Sequence, residues 1–141
     1  YVTTVRTQQP AAEAFAYMAD LRHFAEWDPG VKKVVQVKGD GAGAGAEFDV
    51  TVTGTTLRYV TEVYQPSAEL VVVAKSRTLT STDRVTVTAD GDSTLVTYDA
   101  LLELNGVLRI ADPVLRLAFG RIGDRAAAGL RRVLDGHDVP R

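Results

Sequence analysis

The chain has 141 residues, which is enough for one domain with a sizeable hydrophobic core, and we expect residues 1–141 to form a single domain. Sixteen basic residues balance eighteen acidic ones and no basic block occurs, so we expect no nucleic-acid partner. The absence of Cys excludes disulfides and thiolate metal sites and is compatible with the cytoplasm, which we expect as the location. No apolar run reaches the roughly 20 residues that span a bilayer, which argues against integral membrane association.

The N-terminal region predicts one strand followed by two short helices. Residues 2–7 alternate weakly, as a short strand does. Pro10 is expected as the first residue of a helix, because its missing N–H would be unpaired there in any case. The apolar face of this helix is formed by Ala11, Phe15, Met18 and Ala19. A second short helix over residues 20–27 is ended by the sequence Asp28-Pro29-Gly30.

From residue 31 onward the apolar residues recur at every second position, which predicts strands. Residues 31–38 form the first of them, and residues 47–66 predict a hairpin that turns at Gly54-Thr55, since glycine at the first position suits a type II′ turn. Directly opposed residues share a face of a hairpin. The inner face is therefore expected to hold Phe48, Val50, Val52, Leu57, Tyr59, Thr61 and Val63.

A further strand is predicted over residues 70–76, and a second hairpin over residues 81–104. The second hairpin turns either at Asp90-Gly91 or over the four residues to Ser93, and both loop lengths leave the same side chains facing inward. This inner set is Asp83, Val85, Val87, Val96, Tyr98, Ala100 and Leu102.

The chain ends in a long predicted helix, from Pro113 to Asp135, with Asp112 as its N-cap and Gly136 as its stop. The small residues in its apolar stripe are expected to leave room facing the sheet. The stripe consists of Leu115, Ala118, Phe119, Ile122, Ala126, Gly129, Leu130 and Val133. Runs of strands followed by a helix, without alternation of the two, predict an α+β fold with helices on one face of an antiparallel sheet.

Five motifs along the chain carry a family resemblance. They are P-x-x-x-x-F (10–15), D-L-x-x-F-x-E-W-D-P-G-V (20–31), G-A-G-A-E-F (43–48), D-G-D-S-T-L-V-T-Y (90–98) and L-R-I-A-D-P-V-L-R (108–116). With them the chain resembles the START-like (SRPBCC) superfamily, in its polyketide cyclase/dehydrase and lipid-transport group. The resemblance implies a helix-grip fold, in which a curved antiparallel sheet of about seven strands wraps around the long C-terminal helix and encloses a cavity. It does not by itself define a reaction.

Asp83, Tyr98 and Tyr59 are the candidate catalytic residues, because they are polar groups on an otherwise apolar inner face. A carboxylate placed there needs a hydrogen bond, a proton or cavity water, and a Tyr hydroxyl nearby could donate to it. The alternative is that Asp83 sits at a strand end or bulge and faces solvent. The candidate ligand-binding residues are Phe24, Trp27, Phe48, Val50, Tyr59, Thr61, Val85, Tyr98, Phe119, Ile122 and Ala126.

Three other patterns favour structural interpretations. His23 and Glu26 share a helix face, but two ligands without a third do not make a transition-metal site, and Asp28 is interpreted in the same structural way. The sequence G-x-G-x-x-A at 41–46 formally matches a dinucleotide fingerprint, yet a strand pattern follows where a helix is required, so we expect a flexible loop at the cavity rim. Arg121, Arg125 and Arg132 lie along one border of the helix stripe. We expect their charged groups to remain in water rather than to form an anion-binding edge at the cavity mouth.

The favoured hypothesis is a protein that binds a small hydrophobic ligand, a lipid, a polyketide or a similar molecule, without a metal or cofactor. The alternative is a cyclase or dehydratase that uses acid and base residues of the cavity. A third hypothesis is an interaction module that uses its surface, which the balanced charge disfavours. The oligomeric state is open, with a homodimer as one option.

Overall fold

The structure, a computed structural model, describes residues 1–104 and 113–139, without the side chains of residues 113–119 and 138. Strands dominate the chain between two helical regions. The strands are β1 (Val2–Thr7), β2 (Val31–Lys38), β3 (Glu47–Val52), β4 (Thr55–Gln65), β5 (Glu69–Lys75), β6 (Leu79–Asp90), β7 (Ser93–Leu104) and β8 (His137–Asp138). The helices are α1 (Ala11–Ala19), α2 (Phe24–Trp27) and α3 (Pro113–Leu134), and a 3-10 turn (Leu21–His23) precedes α2.

The strands form one antiparallel sheet in the order β2-β3-β4-β5-β6-β7-β1-β8. Seven strands make up the body of this curved sheet, and β8 adds two residues at the edge beside β1. The buried side chains of α1, α2 and α3 form one hydrophobic core with the inner face of the sheet. The predicted α+β arrangement is therefore confirmed, and β1 and β2 begin and end at the predicted residues.

The first hairpin turns one residue earlier than predicted. Val52 pairs with Thr55, so Thr53 and Gly54 form the turn, and Gly54 has a φ of 82° at its second position. Glycine reaches this φ without the steric cost that a side chain imposes. The pairing moves by two residues as a result, so the predicted inner face of β3 and of β4 up to Thr61 is preserved.

The predicted inward position of Val63 is wrong because β4 contains a bulge. Thr61 pairs with Val72 and Val63 with Val71, which leaves Glu62 as an extra residue between them. Alternation is inverted beyond the bulge, and Tyr64 packs against the core in place of Val63, with its ring centroid 5.6 Å from that of Phe15.

The second hairpin has the predicted faces. Asp90 pairs with Ser93 around Gly91 and Asp92, which is the four-residue turn to Ser93. Asp83 and most of the apolar side chains of its predicted face are buried, and only Leu102, near the end of β7, is exposed on that side.

At the start of α1, Pro10 is the N-cap residue rather than the first helical residue, and its carbonyl accepts the bond from the Ala14 N–H.

Helix α3 ends in a Schellman arrangement at Leu134. The N–H of Gly136 donates to the carbonyl of Arg131 (2.9 Å), and Asp135 occupies the left-handed position with a φ of 51°. Gly136 is required for another reason, since a Cβ there would overlap the carbonyl of Arg6 on β1. The predicted N-cap Asp112 lies outside the described residues.

The small residues of α3 were predicted to leave room between the helix and the sheet. For those that the structure describes this prediction is wrong, because they bring the helix close to its neighbours. A Cβ on Gly129 would overlap the carbonyl of Trp27, and Ala126 is fully buried in the core. Leu130 and Leu134 are also fully buried, and burial of each contributes ~1.5–3 kcal/mol. Among the described helices, none is long and apolar enough to cross a membrane.

Candidate ligand pocket

A pocket of about 450 Å³ lies between the inner face of the sheet and α3. Strands β3, β4, β6 and β7 form its walls, the α2–β2 junction and the start of β2 form one side, and α3 contributes Ile122 and Arg125. Most of the lining side chains are apolar. The described lining residues are Phe24, Asp28, Pro29, Gly30, Val31, Lys32, Val50, Val52, Thr53, Leu57, Tyr59, Leu79, Ser81, Asp83, Tyr98, Ala100, Leu102, Ile122 and Arg125.

A hydrogen-bonded group at one wall brings the three candidate catalytic residues together. The Tyr98 hydroxyl donates to Oδ2 of Asp83 (2.9 Å), and Ser81 Oγ donates to Oδ1 (3.4 Å). The Tyr59 hydroxyl in turn donates to Ser81 Oγ (3.0 Å). Asp83 pairs with Ala100 across β6 and β7, so Tyr98 is its diagonal neighbour on the same face. The sequence analysis did not identify Ser81 as a site residue. Ser81 lies two residues before Asp83 on the same strand, so its side chain faces the same side of the sheet.

Asp83 is only 4% exposed, which excludes the alternative that it faces solvent. Burial raises the pKa of its carboxyl from 3.8 to about 6, although the hydrogen bonds from Tyr98 and Ser81 act to lower it. Burial and the nearby charge of Asp83 raise the pKa values of Tyr59 and Tyr98 above their ordinary range. The two hydroxyls are therefore donors at neutral pH, beside a carboxyl group that can hold or release a proton there.

Asp28 is a second buried carboxyl group in this pocket, and its structural interpretation from the sequence was incomplete. Its Oδ1 accepts the Gly30 N–H (2.8 Å), which shapes the turn between α2 and β2. The residue is nevertheless 8% exposed and lines the pocket, and burial raises the pKa of its carboxyl. In the described part of the chain, no donor contacts Oδ2.

The structure divides the predicted ligand-binding residues into groups. Five line the pocket, namely Phe24, Val50, Tyr59, Tyr98 and Ile122. Trp27 and Val85 line a neighbouring void of about 20 Å³, which also touches Phe24, Asp83 and Tyr98. Phe48, Thr61 and Ala126 are buried in the core and do not line the pocket, and the side chain of Phe119 lies outside the described residues.

Trp27 connects the helices to the pocket wall through two aromatic contacts. Its ring stacks on Phe24 with centroids 4.8 Å apart, and it meets the ring of Tyr98 edge to face at 5.1 Å. Both partners line the pocket, so Trp27 lies directly behind its wall.

The remaining polar motifs hold the fold together. Tyr17 stacks on His23 with ring centroids 4.4 Å apart and donates to Glu26 (2.7 Å). Arg132 donates to the Glu26 carbonyl (2.7 Å), and Arg121, Arg125 and Arg132 are all exposed, as predicted. Within residues 1–104 and 113–139, no group of three or more acidic or His side chains is placed to hold a metal ion.

The glycine-rich loop is held by Gln36, whose side chain donates to the carbonyls of Lys38 (3.1 Å) and Gly41 (2.9 Å) and accepts the Gly41 N–H (2.8 Å). No loop residue is among the described lining of the pocket, so the predicted position at its rim is wrong for this pocket. The strand β3 follows the loop, and the helix that a dinucleotide site requires is therefore missing at this point.

A curved antiparallel sheet packed against a long C-terminal helix defines the helix-grip fold of START-like proteins. A family model described as polyketide cyclase / dehydrase and lipid transport matches residues 1–135. The chain therefore belongs to this family, within the START-like (SRPBCC) superfamily.

Solved structures share the fold at low sequence identity. A START superfamily protein from Mycobacterium smegmatis is 20% identical with a TM-score of 0.70, and 96% of each chain is covered. The di-domain ARO/CYC StfQ of the steffimycin biosynthetic pathway is 16% identical with a TM-score of 0.71, over 95% of this chain and 48% of StfQ. Ginseng major latex-like protein 151 from Panax ginseng is 10% identical with a TM-score of 0.68, over 95% of each chain. No curated protein matches the sequence significantly.

Proposed function

We propose that this protein binds a small hydrophobic molecule, of the lipid or polyketide type, in the pocket between the sheet and α3. The observation that carries the proposal is a pocket of about 450 Å³ with a mainly apolar lining and a hydrogen-bonded group of Asp83, Tyr98, Ser81 and Tyr59 at one wall. Ligand sites commonly have volumes of ~300–1,000 Å³, with apolar linings and a few polar groups that orient the ligand. The family description, which includes lipid transport, supports the same proposal.

Calorimetric titration with oleic acid and with a hydroxyanthraquinone tests the proposal, and two adjacent leucines of β7 provide matched variants. Leu102 lines the pocket and is 38% exposed, whereas Leu101 points to the opposite face and is 53% exposed. We expect Leu102→Trp to fill part of the pocket and weaken binding at least tenfold, and Leu101→Trp to leave affinity unchanged. Equal affinities in the two variants would place the bound molecule elsewhere.

A second candidate function is cofactor-free cyclisation or dehydration, and the Asp83 group is the observation that favours it. Ionised Asp83 could remove a proton from the carbon beside a ligand carbonyl, and that carbon would then form a bond to a second carbonyl carbon of the same molecule. The hydroxyl of Tyr98 or Tyr59 could donate a proton to the resulting alkoxide, and the proton on Asp83 could return through the hydrogen bonds to the tyrosinate. Loss of the new hydroxyl and a neighbouring hydrogen as water would complete a dehydration.

Asp83→Asn separates the two functions. If the pocket only binds, affinity should stay within about tenfold, or ~1.4 kcal/mol, because an amide can still accept from Tyr98. If Asp83 is a catalytic base, turnover of a linear polyketide thioester should fall by ~10²–10⁴ with little change in binding. Tyr98→Phe then tests whether this hydroxyl is the proton donor.

A further inference from the structure

Two carboxyl groups share the pocket, and neither forms an ion pair in the part of the chain that the structure describes. Asp83 and Asp28 are 4% and 8% exposed, and both line the pocket. The ion pairs of the described residues lie elsewhere, on the side chains of Asp20, Asp49 and Asp90 among others. Buried carboxylates are normally paired with a cation or a metal, because an unpaired charge away from water is unfavourable.

The hydrogen bonds to these two groups leave acceptor capacity unused. An ionised carboxylate has about four lone-pair sites. Asp83 receives two hydroxyl donors, from Tyr98 and Ser81, and Asp28 receives one backbone N–H at Oδ1. Oδ2 of Asp28 has no donor among the described residues and remains accessible from the pocket, although the residue as a whole is only 8% exposed. The two groups are also near enough for the charge of Asp28 to raise the pKa of Asp83.

Building on the proposed ligand-binding function, we propose that the ligand carries a protonated amine on an apolar body and that its ammonium group binds to Asp28 and Asp83. The ammonium supplies the N–H donors and the positive charge that these carboxylates lack. The apolar body occupies the space between Val50, Leu57 and Ile122.

The cations of the same pocket lie on its solvent side. Lys32 and Arg125 are exposed, so an anionic ligand group bound to them would remain hydrated and gain little. Hydrogen bonds between an ammonium group and a buried carboxylate are shorter and about twice as strong as neutral ones. Asp28 and Asp83 therefore favour a cationic ligand group more strongly than Lys32 and Arg125 favour an anionic one.

Three probes with one naphthyl body test the proposal by calorimetry at pH 7.5. They are 2-(2-naphthyl)ethylamine, 2-(2-naphthyl)ethanol and 2-naphthylacetic acid. We expect the amine to bind about ten- to a hundredfold tighter than the alcohol, and the acid to bind most weakly. An alcohol that binds as tightly as the amine, or an acid that binds best, would overturn the inference and leave the proposed binding function standing. Failure of all three probes, together with oleic acid and the hydroxyanthraquinone, would overturn both.

Carboxamide variants locate the preference. Asp28→Asn and Asp83→Asn should each lower the ratio of amine to alcohol affinity by about tenfold, and they keep an acceptor for Gly30 and Tyr98. The control is Asp92→Asn in the β6–β7 turn, which changes the net charge equally outside the pocket lining and should leave the ratio unchanged. The alcohol reports the folded pocket in each sample, so the ratio is independent of partial unfolding. A ratio that stays constant in both pocket variants, or that falls equally in the control, contradicts the proposal.

Discussion

Replacing Asp83 by Asn should stabilise the protein at pH 8 and have no such effect at pH 4. In the folded protein the pKa of this carboxyl is raised from 3.8 to about 6 because the group is buried. One pKa unit corresponds to ~1.4 kcal/mol, so ionised Asp83 lowers the free energy of unfolding by about 3 kcal/mol. For a chain of this length that corresponds to a change in Tm on the order of 10 °C.

The pH range of this effect follows from the direction in which folding shifts the pKa of Asp83. Below about pH 4 the carboxyl is protonated in both states and stability is unaffected by its titration. Between about pH 4 and 6 the unfolded chain loses this proton while the folded chain keeps it, so the free energy of unfolding falls as pH rises. Above pH 6 the full destabilisation is present. Asn carries no charge at any of these pH values and still accepts from the Tyr98 hydroxyl.

Thermal melts followed by circular dichroism at pH 4 to 8 measure this effect on protein freed of ligand. The quantity of interest is the difference in Tm between Asp83→Asn and the unchanged protein, because the titration of Asp28 is present in both and largely cancels. We expect the difference to grow through the window from pH 4 to 6 and then level off. The exposed control Asp92→Asn should show no such growth. A difference that is constant across the range would refute the assignment of a buried, charge-destabilised Asp83.

Three further predictions concern Gly129, Trp27 and Tyr98. Gly129→Ala should cost more than ~3 kcal/mol of stability in a denaturant titration, since its Cβ overlaps the Trp27 carbonyl. A Cβ on Gly120 in the same helix meets no atom of the described residues within 4 Å, so Gly120→Ala should gain up to ~1 kcal/mol. Binding of a hydroxyanthraquinone should change Trp27 emission, because Trp27 contacts the pocket wall through Tyr98, and tight calorimetric binding with unchanged emission would contradict this. Tyr98→Phe removes a hydrogen bond that lowers the pKa of Asp83, so the stability change that Asp83 causes should move to higher pH.

Strand parity was the most informative pattern in the sequence. The side chains of a hairpin alternate with period two, so moving the first turn by one residue and its pairing by two left Phe48 and Tyr59 on the same face. The same reasoning placed Asp83 beside Tyr98, and the hydrogen bond between them follows from that register. Parity failed where a bulge intervened, because nothing in the sequence marks Glu62 as an extra residue, and Tyr64 rather than Val63 became the inward side chain.

The pocket was less predictable than the sheet because its walls come from distant parts of the chain. Asp28 precedes Pro-Gly and was interpreted as part of a turn, and it does form that turn through Gly30. It lines the pocket together with residues of β3, β4 and α3, and no local pattern of the sequence contains that arrangement. The prediction that Gly129 enlarges the cavity failed in a similar way. The sequence shows that the residue is small, but only the fold shows that the Trp27 carbonyl occupies the adjacent space.

Helix α3 is held to the rest of the fold at its middle as well as at its C-terminal end, as far as the described contacts extend. At the middle, the Tyr1 hydroxyl donates to Asp124 (2.8 Å), and a Cβ on Gly123 would overlap the Tyr1 ring. The C-terminal half of the helix is held by Gly129 against Trp27, by the Thr7 hydroxyl bonded to the Leu134 carbonyl and by Arg132 bonded to Glu26. Beside these contacts, the helix presents Ile122, which is 48% exposed, and Arg125 to the pocket. If the proposed binding function is correct, the positions of α3 that face the ligand are therefore different from the positions that anchor the helix. A mutant library confined to positions 122 and 125 can therefore explore new specificities while the anchoring contacts of the helix are kept.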